Sequence, residues 1–264
     1  MNSTDQKEIT RVAHALADAA RDAILPHFRV PALATANKED GGFDPVTEGD
    51  RAAERAMRAV LAKHRPQDGI FGEEYGQSDG TSGLTWVLDP IDGTRGFISG
   101  TPTWGVLIAL SDASGPVFGI VDQPYIKERF VGGFGEAYVD GPHGRRDLIS
   151  RKESSLKDAI LFTTFPEVGT VAEEAAFKAV SQKVKLTRYG MDCYAYALVA
   201  TGQVDLVIEA GLNAYDIQGP MAVVQAAGGV VTNWQGGPAH QGGQVIAAAN
   251  AQIHAQALEI LKQY

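Results

Sequence analysis

Trp86-Val87-Leu88-Asp89-Pro90-Ile91-Asp92-Gly93-Thr94-Arg95 joins an apolar strand to a helix start. Leu84 to Leu88 reads as the strand. Pro90 has no N–H to give to a sheet ladder, so the strand is expected to stop at Asp89. Gly93-Thr94 then opens a short helix through Phe97 and Ile98. Two carboxylates thus stand at a strand end, facing a helix N-terminus. One reading is an ordinary turn, with Asp89 and Asp92 as turn and capping residues. The other is a seat for a hard cation and an anion together, carboxylate oxygens for the first and backbone N–H groups for the second.

The rest of the chain bears on that choice. Its 264 residues, 44% hydrophobic, suffice for one large domain or two modest ones. The 30 glycines, many in turn-like contexts, suit a strand-rich α/β or α+β chain. A net charge of −9 with no basic stripe argues against nucleic acid or an anionic membrane, and suits cations. The single cysteine, Cys193, excludes an internal disulfide framework and fits a reducing compartment. The N-terminus has no basic-then-apolar leader pattern, and no apolar run has membrane-spanning length. The expectation is a soluble cytoplasmic protein.

The six histidines, His14, His27, His64, His143, His240 and His254, lack zinc-type spacing and are read as surface residues. No Walker lysine motif is present, and Gly132-Gly133-Phe134-Gly135 lacks the downstream glycine of a dinucleotide loop. Cys193, in Asp-Cys-Tyr-Ala-Tyr, is read as a buried, inert thiol.

Helical spacing of Ile9, Val12, Ala13, Leu16, Ala20 and Ile24 predicts a first helix to about Leu25, capped by Thr4 or Asp5 and ended by Pro26 and Pro31. Thr35 to Gly42 is polar and expected to be mobile. Asp50, after Asp44-Pro45-Val46-Thr47-Glu48-Gly49, begins a second helix, where it is a candidate N-cap. Ile70-Phe71-Gly72 is a short strand delivering Glu73 and Glu74, and Gly76 to Gly83 is read as a loop. Two hairpins follow, Trp104–Leu110 with Val117–Val121 and Arg129–Val131 with Ala137–Val139. After the basic loop Gly141–Arg151 comes an α/β half. Its strands are Ala159–Thr163, Val184–Arg188, Val204–Ile208 (ending at Glu209), Val230–Thr232 and Val245–Ala249. Its helices are Thr170–Val180, Tyr194–Thr201, Ala214–Ala227 and Ile253–Leu261.

Glu73, Asp89 and Asp216 each follow an apolar element and sit in a turn or at a helix start, and Asp92 lies three residues past Asp89. Together they form an all-oxygen set that selects Mg²⁺, Mn²⁺ or Ca²⁺ over zinc. Such acids repel each other at neutral pH unless a cation lies between them.

Gly72-Glu73-Glu74, Asp89-Pro90-Ile91-Asp92-Gly93-Thr94, Tyr215-Asp216 with Ala227-Gly228-Gly229, and Pro45-Val46-Thr47-x-x-Asp50 resemble the motifs of the inositol monophosphatase family. The resemblance covers about residues 8 to 260. It implies an α/β (α+β) chain folded as a layered α-β-α-β-α sandwich of the inositol monophosphatase/fructose-1,6-bisphosphatase type. It further implies one phosphatase domain over residues 1–264, with the main metal site in 1–140 and residues 141–264 completing it. Carried over, Glu73, Asp89, the Ile91 carbonyl, Asp92 and Asp216 are metal ligands for two or three Mg²⁺ ions, with Mn²⁺ a possible substitute. Asp50 and Thr94, with Glu73, are catalytic, activating water for in-line attack, and the Gly93 and Thr94 amides hold the phosphate. The implied partners are a small phosphate ester and a second copy of the chain, a homodimer, with no nucleic acid and no membrane.

Thr94 to Gly100, Asp192 to Ala200 and Val204 to Leu212 look most like the histidinol-phosphatase branch of histidine biosynthesis. Histidinol carries an ammonium and a protonatable imidazole, and Asp192 and Glu209 are acids able to pair with them. Asp192 is equally a candidate N-cap, and Arg95 a contact to substrate, to a neighbouring subunit or to solvent. Gly96 and Gln218-Gly219-Pro220 depart from the branch, the last placing Pro220 in a first helical turn. The alternatives are an inositol-1-phosphate phosphatase, a 3′-nucleotidase, or a non-catalytic metal- or phosphate-binding regulator.

Overall fold

The computed structural model describes residues 2–30, 35–37, 45–152 and 155–264. Pro31, Asp44 and most of the polar segment Thr35–Gly42 lie outside the described residues; Thr35–Asn37 form a strand paired with Pro45–Thr47.

Two helices form the first layer, α1 (Ser3–Ile24) and α2 (Glu48–His64). The predicted face of α1 is buried, from Ile9 to Ile24. Its cap is Asn2, two positions before Thr4 and three before Asp5, the expected caps. The Asn2 side-chain oxygen accepts the Thr4 and Asp5 amides at 2.9 and 3.0 Å. In α2 the N-cap is Thr47, and Asp50 sits one turn in, its carboxylate accepting the Thr47 N–H at 2.8 Å. Asp50 is therefore the reciprocal acid of a capping box, not the cap itself.

These helices cover one face of an eight-stranded sheet. Its strand order is Arg146–Asp147, Glu136–Asp140, Glu128–Gly133, Gly115–Gln123, Gly105–Asp112, Thr85–Asp92, Gly69–Gly72, Gly76–Ser78. Neighbours are antiparallel except Gly69–Gly72 with Thr85–Asp92, which run parallel. Gly76–Ser78, expected as loop, closes a tight hairpin on Gly69–Gly72.

A second sheet runs Leu186–Tyr189, Ile160–Thr163, Leu206–Leu212, Gly243–Ala248, Val230–Thr232, its first three strands parallel. The short helix α3 (Thr94–Ser99) follows the central strand of the first sheet, and α4 (Val171–Ser181) packs outside the second. Between the sheets lie α5 (Tyr194–Ala200) and α6 (Ala214–Ala226), and α7 (Ala251–Leu261) joins α4 on the outer face. The layers are thus α-β-α-β-α, as expected.

Strand alternation divides the apolar residues among the layers. Val106, Ile108 and Leu110 face α1 and α2, whereas Leu107 faces the middle layer. Val207 faces the middle layer, whereas Leu206 and Ile208 pack with Phe177 and Ile253 outside. The middle helix α6 lies against the sheet backbone. A Cβ on Gly219 would stand 3.1 Å from the carbonyl oxygens of Ile108 and Ile120, so a larger residue there would crowd the sheet backbone. Pro220 is buried at the seventh residue of α6, inside the helix rather than in its first turn, because the helix already begins at Ala214.

Candidate active site

The strand carrying Asp89 does not stop at Pro90. It runs from Thr85 to Asp92, with a register break against its neighbour between Asp89 and Asp92. The parallel partner reaches only Leu88, so beyond that point one edge of the strand has no ladder. Pro90, lacking an N–H, falls where pairing is broken anyway. The break turns Asp89 and Asp92 toward one place. The Ile91 amide donates to Asp89 Oδ1 at 3.0 Å and fixes that carboxylate.

Asp216 arrives from the other half. It is the third residue of α6 and accepts the Asn213 N–H at 2.6 Å, again a reciprocal cap. Asp89, Asp92 and Asp216 each offer an oxygen, and these oxygens all lie within 4.8 Å of one another. Glu73, which follows the neighbouring parallel strand, is close enough to Asp89 to help raise its carboxyl. Burial first, then the neighbouring acids, pushes Asp89 and Asp92 well above the carboxylate range. Asp216 is held up at about 6, chiefly by burial. Three clustered carboxylates that resist ionisation together are a fit for a hard divalent cation and a poor fit for zinc.

Asp50, 1% exposed, is raised to about 6 by burial, with Glu74 and Glu73 adding to the rise. It accepts from both the amide and the hydroxyl of Thr47. The Thr94 hydroxyl donates to the Ile91 carbonyl at 3.1 Å. Gly93, at φ +81°, starts α3, and a Cβ there would meet Asp192 Cγ at 2.7 Å.

A cavity of about 410 Å³ opens beside these groups. It is lined by Glu73, Asp92, Gly93, Thr94 and Arg95 from the first half, and by Asp192, Glu209 and Asp216 from the second. Asp192 does not cap the next helix. That position falls to Cys193, while Asp192 takes a left-handed φ of 46° and aims at α3. Its carboxylate accepts the Thr103 hydroxyl at 3.0 Å. Gly96 is explained by the same neighbour: a Cβ would lie 2.9 Å from Thr101 Oγ1 and 3.0 Å from Asp192 Oδ2. Arg95 stacks over the Phe165 ring at 4.8 Å.

Glu209 lies within its strand rather than at the end, next to a register shift. Thr164 donates to it through both N–H and hydroxyl, and Tyr196 through its hydroxyl at 2.7 Å. Thr164 and Tyr196 escaped the sequence reading. Thr164 follows the C-terminal end of a parallel strand, the end at which such sheets present ligand groups, and that signal was available. Tyr196 stands in a small-residue helix and gave none.

The Cys193 amide donates to Asp92 Oδ2 at 2.7 Å, while its buried thiol is pushed far above its ordinary range by burial. Of the six histidines only His143 is exposed; the others depart from the surface reading to different degrees. His254 is buried against Thr232, and His14 is half-buried between Tyr138 and Arg129.

Residues 5–264 match the profile of the Inositol monophosphatase family. The chloroplastic bifunctional phosphatase IMPL2 of Arabidopsis thaliana is 39% identical, over 99% of this chain and 77% of its own length. A histidinol-phosphatase of Streptomyces coelicolor is 34% identical over 98% of each chain. The solved structure of an inositol monophosphatase from Zymomonas mobilis matches with a TM-score of 0.86 at 40% identity, over 99% of this chain and 100% of that one.

Proposed function

This chain belongs to the inositol monophosphatase family, and from that premise we propose that it hydrolyses L-histidinol phosphate to L-histidinol and phosphate, with Mg²⁺ as cofactor. It is a phosphoric monoester hydrolase, and its family is metal-dependent. The observation that carries the substrate is a pair of acids, partly buried Asp192 and buried Glu209, on the wall of the cavity that Asp92 and Asp216 also line. They suit a leaving group bearing an ammonium and an imidazolium, each charge-assisted bond being worth about 1.5–3 kcal/mol.

Asp89, Asp92 and Asp216, with Glu73 and the Ile91 carbonyl, are the groups to hold Mg²⁺. A bound divalent ion would neutralise phosphoryl charge and acidify water. The chain's own groups supply the rest. The Gly93 and Thr94 amides at the start of α3 receive phosphoryl oxygens. Thr94, its hydroxyl hydrogen given to Ile91, presents its oxygen to a hydrogen of the attacking water. Asp50, held near neutrality by burial, is the base beside Glu73 and Glu74. Arg95, on its aromatic support, closes the outer rim. The same reading takes residues 1–264 as one phosphatase domain and the protein as a cytoplasmic homodimer.

The 40% identical inositol monophosphatase favours a second substrate, inositol 1-phosphate. Steady-state turnover of L-histidinol phosphate, inositol 1-phosphate and a nucleoside 3′-phosphate with Mg²⁺ separates the two. We expect kcat/KM for histidinol phosphate to lead by roughly a hundredfold, as two charge-assisted contacts imply. A lead for the inositol ester would transfer the assignment to it, and absence of turnover on all three would point to a binding protein.

A further inference from the structure

The loop that carries Glu73 is gripped by a carboxylate with no place in the chemistry above. Glu54 lies in α2, one turn after Asp50, and is 0% exposed. Its Oε2 accepts the Glu74 N–H at 2.6 Å, and its Oε1 accepts the Tyr75 N–H at 3.3 Å. Arg58, one turn further on, donates to Glu54 Oε1 at 2.7 Å and reaches past it to the Gly76 carbonyl at 2.5 Å and the Ser78 hydroxyl at 3.0 Å. Positions 50, 54 and 58 share one face of the helix. That face holds Asp50 in its cap, Glu54 on the turn and Arg58 on the returning strand of the hairpin.

The fit is close from the other side as well. A Cβ on Gly72 would stand 2.0 Å from Glu54 Oε1 and 2.4 Å from its Cδ, so the backbone entering the turn runs directly against the carboxylate. The Glu73 amide itself donates to the Leu88 carbonyl at 3.2 Å, one residue before Asp89. Glu73 is therefore pinned on both flanks, by the sheet on one and by Glu54 on the other.

We infer that Glu54 is a positioning residue for the metal site. By holding the amides of residues 74 and 75 it aims the Glu73 carboxylate at Asp89 before any cation arrives, and it ties that aim to Asp50 through one rigid helix. The inference rests on the reading of Glu73 as a ligand, and its test keeps the two apart.

Mn²⁺ binding to the folded, substrate-free protein is titrated by calorimetry for wild type, Glu54→Gln, Gly72→Ala, Glu73→Gln and Asp205→Asn. The last breaks a buried pair with Arg151 in the other half of the chain and controls for general destabilisation. Glu54→Gln and Gly72→Ala should each weaken Mn²⁺ by about 10–100-fold, the usual effect of removing a group that orients a ligand. Asp205→Asn should lower Tm and leave Mn²⁺ affinity unchanged. Wild-type affinity in Glu54→Gln, with affinity lost in Glu73→Gln, overturns the inference and spares the ligand reading. Unchanged affinity in Glu73→Gln removes the ligand reading and this inference with it. Hydrogen exchange on the metal-free wild type needs no variant to fold: the Glu74 and Tyr75 amides should be protected, and free exchange there overturns the clamp.

Discussion

Two groups of buried carboxylates in this molecule differ in one respect. Asp122 and Asp205 are both 0% exposed, and each meets arginine: Asp122 with Arg21 and Arg129 at 2.7 Å, Asp205 with Arg151 at 2.8 Å. Asp89, Asp92 and Asp216 meet each other. No lysine or arginine among the described residues forms an ion pair with them. At Asp122 burial raises the carboxyl while two guanidiniums pull it down; at Asp89 burial and every neighbouring acid push the same way. The first arrangement is complete within the chain. The second has no cationic side chain paired with it among the described residues, and a divalent cation is the partner that fits.

That contrast can be broken at either end. The largest effect is expected at the cluster: Asp92→Asn should lower kcat/KM by about 10³ or more, since several kcal/mol of transition-state stabilisation go with the cation. The same change should leave the metal-free fold at least as stable, because it removes a repelling acid. Normal turnover in this variant would refute the ligand set. Next comes the complete arrangement. Asp122→Ala leaves two arginines facing a void and should cost about 3–5 kcal/mol of stability, read by chemical denaturation, with Mn²⁺ affinity intact.

A smaller effect is written in the pH dependence of the metal-free protein. Asp50 is ordinarily half-ionised at 3.8 and is raised to about 6 in the fold. Between those values the folded form keeps a proton the unfolded chain has released, so stability falls as pH rises through that window and stays lower above it. The loss from Asp50 is on the order of 2–3 kcal/mol. Asp89, Asp92 and Asp216 act in the same direction. Saturating Mg²⁺ should cancel the fall. A metal-free Tm that climbs from pH 4 to 7 contradicts the assignment. The smallest effect concerns the rim: Phe165→Ala removes the ring under Arg95 and should raise KM a few-fold with kcat held, about 0.5–1 kcal/mol. A kcat that falls with KM unchanged would place Arg95 in the chemistry instead.

The three clustered acids, Asp89, Asp92 and Asp216, were legible in the sequence because each sits beside a local signal, a strand end or a helix start. What surrounds them was not, for physical reasons. Asp50 looks like a cap and Asp216 like part of a helix start, and their reciprocal geometry depends on Thr47 and Asn213, one turn back. The continuation of the strand through Pro90 depends on where its parallel neighbour stops. An isolated glutamate on a helix, such as Glu54, reads as solvated until another element covers it. Gly96 and Gly219 looked like departures until Asp192 and the sheet carbonyls were seen against them. Local pattern gave most strands and helices and marked the acids, and the family resemblance gave the layers; packing between distant segments decided which side chains aim the acids.

The most direct test is a crystal structure of the protein soaked in Mn²⁺, with anomalous scattering recorded at the manganese edge. The account predicts an anomalous peak coordinated by Asp89, Asp92 and Asp216. Saturating Mn²⁺ with no peak among those three carboxylates would contradict it.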